Sequence, residues 1–249
     1  MAVNYDGGSI GSFGFLAGIQ RPNFSFSYVD DFFHANDEDW TIKQIAGSGT
    51  FARIDGHGGV ALIDNAATTA NHASQLGMKG IVDLSQGDAA FEASVRVSSD
   101  ASTSTLSTSG DGTGLIVGLA VDSDDVDAFA ASGNAFGADD FVGFRHGDDG
   151  KLDAVCRVND TETTVADVVE ITGAVGVTGF VRLGFMLRGG QVSFFVDGEL
   201  VGRITTNIPN AAVGETNHAV LGPIFAVAND DTGVQGKLAI DYVAIAGSR

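Results

Sequence analysis

Few residues of this chain have the type and spacing that covalent chemistry needs. A Gly-x-Ser-x-Gly sequence occurs at Gly7-Gly8-Ser9-Ile10-Gly11. The nucleophile elbow of a serine hydrolase requires a strand before the serine and a helix after it. Six residues of glycine-rich chain supply neither, so the match is fortuitous. Cys156, the single cysteine, alternates with Leu152, Ala154 and Val158. That register reads as a small buried hydrophobe rather than a nucleophile. His34, His57, His72, His146 and His218 show no zinc-ligand spacing and fall mostly in or near expected turns. Glycoside hydrolysis needs two carboxylates facing one sugar bond. The six glutamates, at 38, 92, 162, 170, 199 and 215, are scattered, and the aspartates cluster in turns. No catalytic, cofactor-binding or metal-binding residue is assigned, and the chain reads as a non-enzyme.

The aspartate clusters do offer hard oxygen donors. Asp122, Asp124, Asp125 and Asp127 form the densest set, followed by Asp148, Asp149 and Asp153, then Asn229, Asp230 and Asp231. Calcium is the cation such loops would suit, but none has the EF-hand order of glycine at the sixth position and glutamate at the twelfth. They read as solvated turns, and no cofactor is expected.

The elements that would position any site are strands. Val181, Leu183, Phe185 and Leu187 alternate with Arg182, Gly184, Met186 and Arg188, the period-2 pattern of a half-buried strand. Gly189-Gly190 then supplies a tight turn, because residues without a Cβ reach the positive φ that two-residue hairpins require. Val192, Phe194 and Val196 resume the alternation, and Asp197-Gly198 turns the chain again before Leu200 and Ile204. Leu115 to Val121 is a nearly continuous apolar run, expected of a strand covered on both faces. Phe141 to Arg145 and Leu152 to Val158 form a further hairpin. Asp125 to Ala131 is the place for one short helix. About a dozen strands at short intervals give an all-β chain, a two-sheet antiparallel β-sandwich.

Composition agrees. The chain has 249 residues, long enough for one full core. Its 35 glycines are about twice average usage, and they fall between apolar runs as turns do. The formal charge of −19, with 13 Lys and Arg, excludes phosphate-backbone binding to nucleic acid and a surface that hugs anionic lipid. No run approaches the roughly eighteen apolar residues of a membrane helix. The start MAVNYDGGSIGSFGF lacks a secretory pattern, which predicts synthesis and folding in the cytoplasm.

Residues 1–29 read as an N-terminal arm and 30–249 as a single sandwich domain. In the arm, glycines are interleaved with Phe13 and Phe15. Further on, Phe24, Phe26 and Tyr28 alternate with Asn23, Ser25 and Ser27, a strand pattern with one aromatic face. Such an arm either caps its own core or adds a strand to a neighbouring subunit.

The segments DDFFHANDEDW, GGVALI, VSFFVDGELVG and GKLAIDYVAIAG together resemble the concanavalin A-like (laminin G-like) jelly roll. The resemblance implies that the first and last strands share a sheet, bringing Phe32 near Tyr242. The family includes lectins, glycosidases and virion proteins, so fold alone does not give function. The Glu-x-Asp-x-x-Glu strand of its glucanases is missing here. The ending LGPIFAVANDDTGVQGKLAIDYVAIAGSR is similar to head- or tail-associated proteins of tailed bacteriophages. That similarity implies a structural virion protein, first a capsid decoration or cement protein. It would bind the major capsid protein or other virion proteins through Phe13, Phe15, Phe24, Phe26 and Tyr28 and a sheet edge. A homo-oligomer is expected, with a trimer as the first guess, located on the capsid surface after synthesis in the host cytoplasm. The alternative is a carbohydrate-binding module or tail protein for host attachment, where an aromatic such as Trp40 or Tyr242 would face the sugar.

Overall fold

The computed structural model describes residues 26–32, 39–46, 49–54, 59–64, 73–99, 114–125, 127–129, 137–146, 151–170, 179–209, 220–228 and 236–248. In chain order the strands are β1 (Phe26–Asp30), β2 (Trp40–Ala46), β3 (Thr50–Ile54), β4 (Val60–Asp64), β5 (Ala73–Met78), β6 (Val82–Asp83), β7 (Ala89–Ser99) and β8 (Leu115–Val121). They continue as β9 (Phe141–His146), β10 (Lys151–Val158), β11 (Thr161–Glu170), β12 (Val181–Arg188), β13 (Gln191–Val196), β14 (Glu199–Ile204), β15 (Val220–Ala228) and β16 (Gly236–Gly247). Two antiparallel sheets form. The first runs β14-β13-β12-β7-β16-β4-β3, with β1 also on β16, and the second runs β11-β10-β9-β8-β15-β5-β2, with β6 on β15. The chain is a concanavalin A-like jelly-roll sandwich. Its first described strand pairs with its last, Asp30 opposite Val243 and Phe26 opposite Gly247.

The meander forms as its alternation predicts. Leu183, Phe185, Leu187, Val192 and Phe194 are buried. Gly189 and Gly190 take φ of 57° and 74°, and Asp197 and Gly198 take 51° and 86°. Both turns therefore lie in the left-handed region, whose twist matches that of the paired strands. β8 is covered on both faces, as its sequence requires. The short helix expected at Asp125 to Ala131 is not formed among the described residues. Asp122–Asp125 is a turn, and Phe129 makes an isolated bridge. Gln75 takes the Ala128 N–H that a helix would have used internally. A 3-10 turn lies instead at Leu84–Gln86, where Asp83 accepts from Ser85 N at 2.9 Å.

Phenylalanine fills the space between the sheets. Rings run from Phe32 to Trp40 (5.4 Å between centroids), Phe225 (6.1 Å), Phe91 (6.4 Å), Phe185 (5.3 Å), Phe194 (6.0 Å) and Phe144 (5.6 Å). Each fully buried ring contributes roughly 1.5–3 kcal/mol of apolar burial. Cys156 is buried among them, and burial pushes its thiol pKa up, so it packs rather than reacts.

The two flanks differ. On one, β11 packs on β14. Gly202 faces Val165, Thr163 and Thr206 share a 2.9 Å hydroxyl contact, and Asn207 Nδ2 donates to Thr163 at 3.0 Å. On the other, β2 and β1 are tied by Trp40 Nε1 donating to Asp30 at 2.8 Å. Ile42 lies on the core-facing side of β2, opposite Leu76, yet is 47% exposed. This flank is less closed than the other at Ile42, though Phe32 and Trp40 beside it are buried.

Candidate functional site

The outer faces of the sheets differ in what they offer a ligand. On the second sheet, Ile116, Ala120, Phe141, Val155, Ile224 and Ala226 point away from the main core and form a second cluster under Ala128, Phe129 and Ala138. Gly118 and Gly143 sit beneath Phe141. A Cβ on Gly143 would lie 2.7 Å from the Phe141 ring and 2.3 Å from Val117 O. Their bareness lets adjacent strands and the ring approach. The covering segment is pinned at several points. Ala128 N donates to Gln75 Oε1 at 2.8 Å, and Ser123 Oγ donates to Met78 O. Lys43 Nζ bonds Asp125 O and bridges Asp127 at 2.7 Å. This face is filled by the protein itself.

The same contacts bear on the aspartate loop. The Lys43 ammonium, not a cluster of oxygens alone, sits among Asp125 and Asp127. Among the described residues, no group of three His, Cys, Asp or Glu is placed to hold a metal ion. Asp148, Asp149 and Asn229 to Asp231 lie outside the described residues, as do His34, His57, His72 and His218. His146 is described, at the buried end of β9.

The outer face of the first sheet is polar at its centre. Phe91, Ala93 and Val95 of β7 point into the core, so Ala90, Glu92 and Ser94 point out. Opposite Glu92 stand Gly184 on β12 and Ala244 on β16. The cross-strand row continues to Phe195 and Leu200 on one side and Val29 on the other. Small neighbours let the Glu92 side chain lie down against the sheet, where it is 2% exposed.

A β-bulge between Ile240 and Tyr242 supplies its partner. One extra residue at Asp241 shifts the strand so that Tyr242 faces outward beside Ser94 while Val243 returns to the core. The Tyr242 hydroxyl donates to Glu92 Oε1 at 2.5 Å. Burial raises the Glu92 carboxyl above the usual carboxylate range, and the Tyr242 hydrogen bond and the Arg182 charge oppose that rise. Burial and the Glu92 bond push Tyr242 up in turn. Asp241 is raised by burial as well, against a hydrogen bond from Ser94. Arg182 also binds Asp197. Its backbone N donates to Asp197 Oδ1 at 3.0 Å, and its Nη2 donates to Asp197 O at 3.0 Å.

Glu92 and Tyr242 thus satisfy one another on the outer face, with Glu92 buried and Tyr242 partly exposed. Among the described glutamates, Glu92, Glu162 and Glu199 sit apart, on β7, β11 and β14. Glu162 is also held bidentate by Arg145 at 2.9 and 3.0 Å.

Of the aromatic residues singled out in the sequence, Trp40 is buried and Tyr242 half-buried. Phe26 and Tyr28 lie on β1 and pack against the chain's own core. Phe13, Phe15 and Phe24 lie outside the described residues. Glu92 carried no motif. Its signal in the sequence was an acid at an outward position between Ala90 and Ser94, on a strand otherwise made of core.

No protein-family model matches the chain, and no curated protein matches it by sequence. Solved structures do share its fold. A carbohydrate esterase from the Shiga toxin-encoding bacteriophage phi24B is 13% identical, with a TM-score of 0.50 over 91% of this chain and 99% of that one. The carbohydrate recognition domain of Emp47p is 11% identical, with a TM-score of 0.53 over 90% and 96%. A glucanase of Bacillus licheniformis is 10% identical, with a TM-score of 0.52 over 90% and 98%. At these identities the likeness establishes the jelly-roll fold that a phage protein, a lectin domain and a glycosidase share.

Proposed function

We propose that this chain is a non-enzymatic structural protein of a bacteriophage particle, docked on its neighbours through the N-terminal segment and the sheet edge that segment joins. The observation that supports it most is the asymmetry of the flanks. One is closed by β11 on β14, while on the other β1, β3 and β2 are edges among the described residues, and residues 1–25 precede β1 in sequence. Exposed strand edges are templates for pairing with another chain. The location on the capsid surface, the major capsid protein as partner, and a closed oligomer with a trimer as first candidate belong to this reading. No cofactor takes part in it. A phage protein among the structures of this fold is consistent with it.

The test is co-sedimentation with purified particles. The full chain should pellet with them, and a chain lacking residues 1–25 should lose most of that association. Undiminished pelleting of the shortened chain would overturn the reading.

A second reading, carbohydrate binding for host attachment, is favoured by the Glu92–Tyr242 pair on the outer face of the first sheet. A lectin domain also shares the fold. A glycan array with the full chain tests it, and no binding to any glycan would remove it.

A further inference from the structure

β16 is longer than its neighbours and carries two partners end to end on one side. β7 runs along its other side, from Ser99 to Ala89. On the near side β4 pairs with residues 237–240 and β1 with residues 243–247. Outside β4 lies β3. Outside β1, among the described residues, there is no strand. Among the described residues, the position beside β1 and in line with β3 therefore carries no strand of the first sheet.

The edge that borders this gap carries no lysine, arginine or proline. Natural edge strands discourage pairing with charge, especially lysine, or with proline. β2 carries Lys43, β3 Arg53, β14 Glu199 and Arg203, and β11 Glu162, Asp167 and Glu170. β1 reads FSYVD, with a single charge at its last residue. Val29 at its centre is 61% exposed. Phe26 and Tyr28 face inward but are only partly covered. A further strand there would bury all three, along with the less closed flank near Ile42.

Resting on the assembly reading above, we infer that this position takes a strand from the N-terminal segment of a second copy of the chain, with Phe13 and Phe15 turned inward beside Phe26 and Tyr28. Twenty-five residues precede Phe26, more than the five that the gap requires. Asn23-Phe24-Ser25 continues in sequence the polar–aromatic alternation of β1. Exchange of an identical segment between copies then fills the same gap in each, the economy of domain swapping. Main-chain bonds supply the pairing and the two phenylalanines its register.

Cross-strand cysteines in the full-length chain test this. Val29 faces outward, and with Phe13 and Phe15 inward so do Ser12, Gly14 and Leu16. Chains carrying Val29→Cys are mixed with chains carrying Ser12→Cys, Gly14→Cys or Leu16→Cys and mildly oxidised. Cys156 is buried and stays out of the exchange. The expected result is a band at double the chain mass in at least one mixture and in neither chain alone. Dimers of the Val29→Cys chain by itself would mean that β1 edges pair directly, and would overturn the proposal. So would a bond formed only within one doubly substituted chain, which would place the segment on its own edge, and so would no bond in any combination. None of these outcomes decides the assembly reading, which stands or falls on particle co-sedimentation.

Discussion

Trp40 donates its indole N–H to the Asp30 carboxylate at 2.8 Å, joining the edge strand of one sheet to the first strand of the other. The same carboxylate accepts from the Tyr28 hydroxyl at 3.1 Å and from Phe32 N at 2.7 Å. The last bond holds Phe32 at a φ of 55°, which a bulky residue does not adopt unaided. Asp30 thus fixes the point at which the N-terminal segment enters the domain. Asp30→Ala leaves the buried indole N–H without its acceptor and should cost about 2–4 kcal/mol in urea unfolding. Trp40→Phe removes the donor with the acceptor still half-solvated and should cost less. Equal or reversed effects would show that Asp30 is not the tie.

The covered face of the second sheet makes a packing prediction. A Cβ on Gly143 would meet Val117 O at 2.3 Å, so Gly143→Ala must force two strands apart. Its cost should be about 1–3 kcal/mol or more. Phe141→Ala opens a cavity over Gly118 and Gly143 and should cost roughly 3–5 kcal/mol. Thermal or urea unfolding of both variants checks this, and a near-neutral Phe141→Ala would mean that the cover is loose.

Glu92 makes a pH prediction with a definite sign. Its folded pKa is raised, chiefly by burial, so the native state resists ionisation more than the unfolded chain does. The full stability is present below the ordinary glutamate range and declines as pH rises through the raised pKa. Glu92→Gln keeps an acceptor for Tyr242 and cannot ionise. Its melting temperature relative to the parent should climb as pH rises above about 4, where ordinary carboxylates ionise and Glu92 resists ionising. A difference independent of pH would contradict the burial argument.

Tyr242→Phe separates the two functional readings. If the first sheet's outer face binds a glycan, loss of this hydroxyl should weaken binding about tenfold, equivalent to about 1.4 kcal/mol. Particle association through the N-terminal segment should not change. Calorimetry with a glycan identified on an array, run beside co-sedimentation, gives both answers.

Much of the fold was legible because turn chemistry and alternation agree. Gly189-Gly190 and Asp197-Gly198 bracket strands whose inward residues are all apolar, and only one register buries Leu183, Phe185 and Phe194 together. The stretch near Asp125 misled because its composition fits a helix start, while the Ala128 N–H goes to the Gln75 side chain and Asp125 N closes a turn on Asp122 O. The gap beside β1 and the Glu92 pair were not legible for a related reason. Both depend on which segments become neighbours. The bulge at Asp241 adds a residue that no local pattern announces, and it alone turns Tyr242 outward onto Glu92.

The proposed place of this chain in a phage particle is tested by labelling electron microscopy with an antibody against the full chain on purified phage particles from the same source. Label is expected at regular positions, first over the head surface. Particles that carry no label at head or tail, from a preparation in which the antibody detects the free protein, would contradict it.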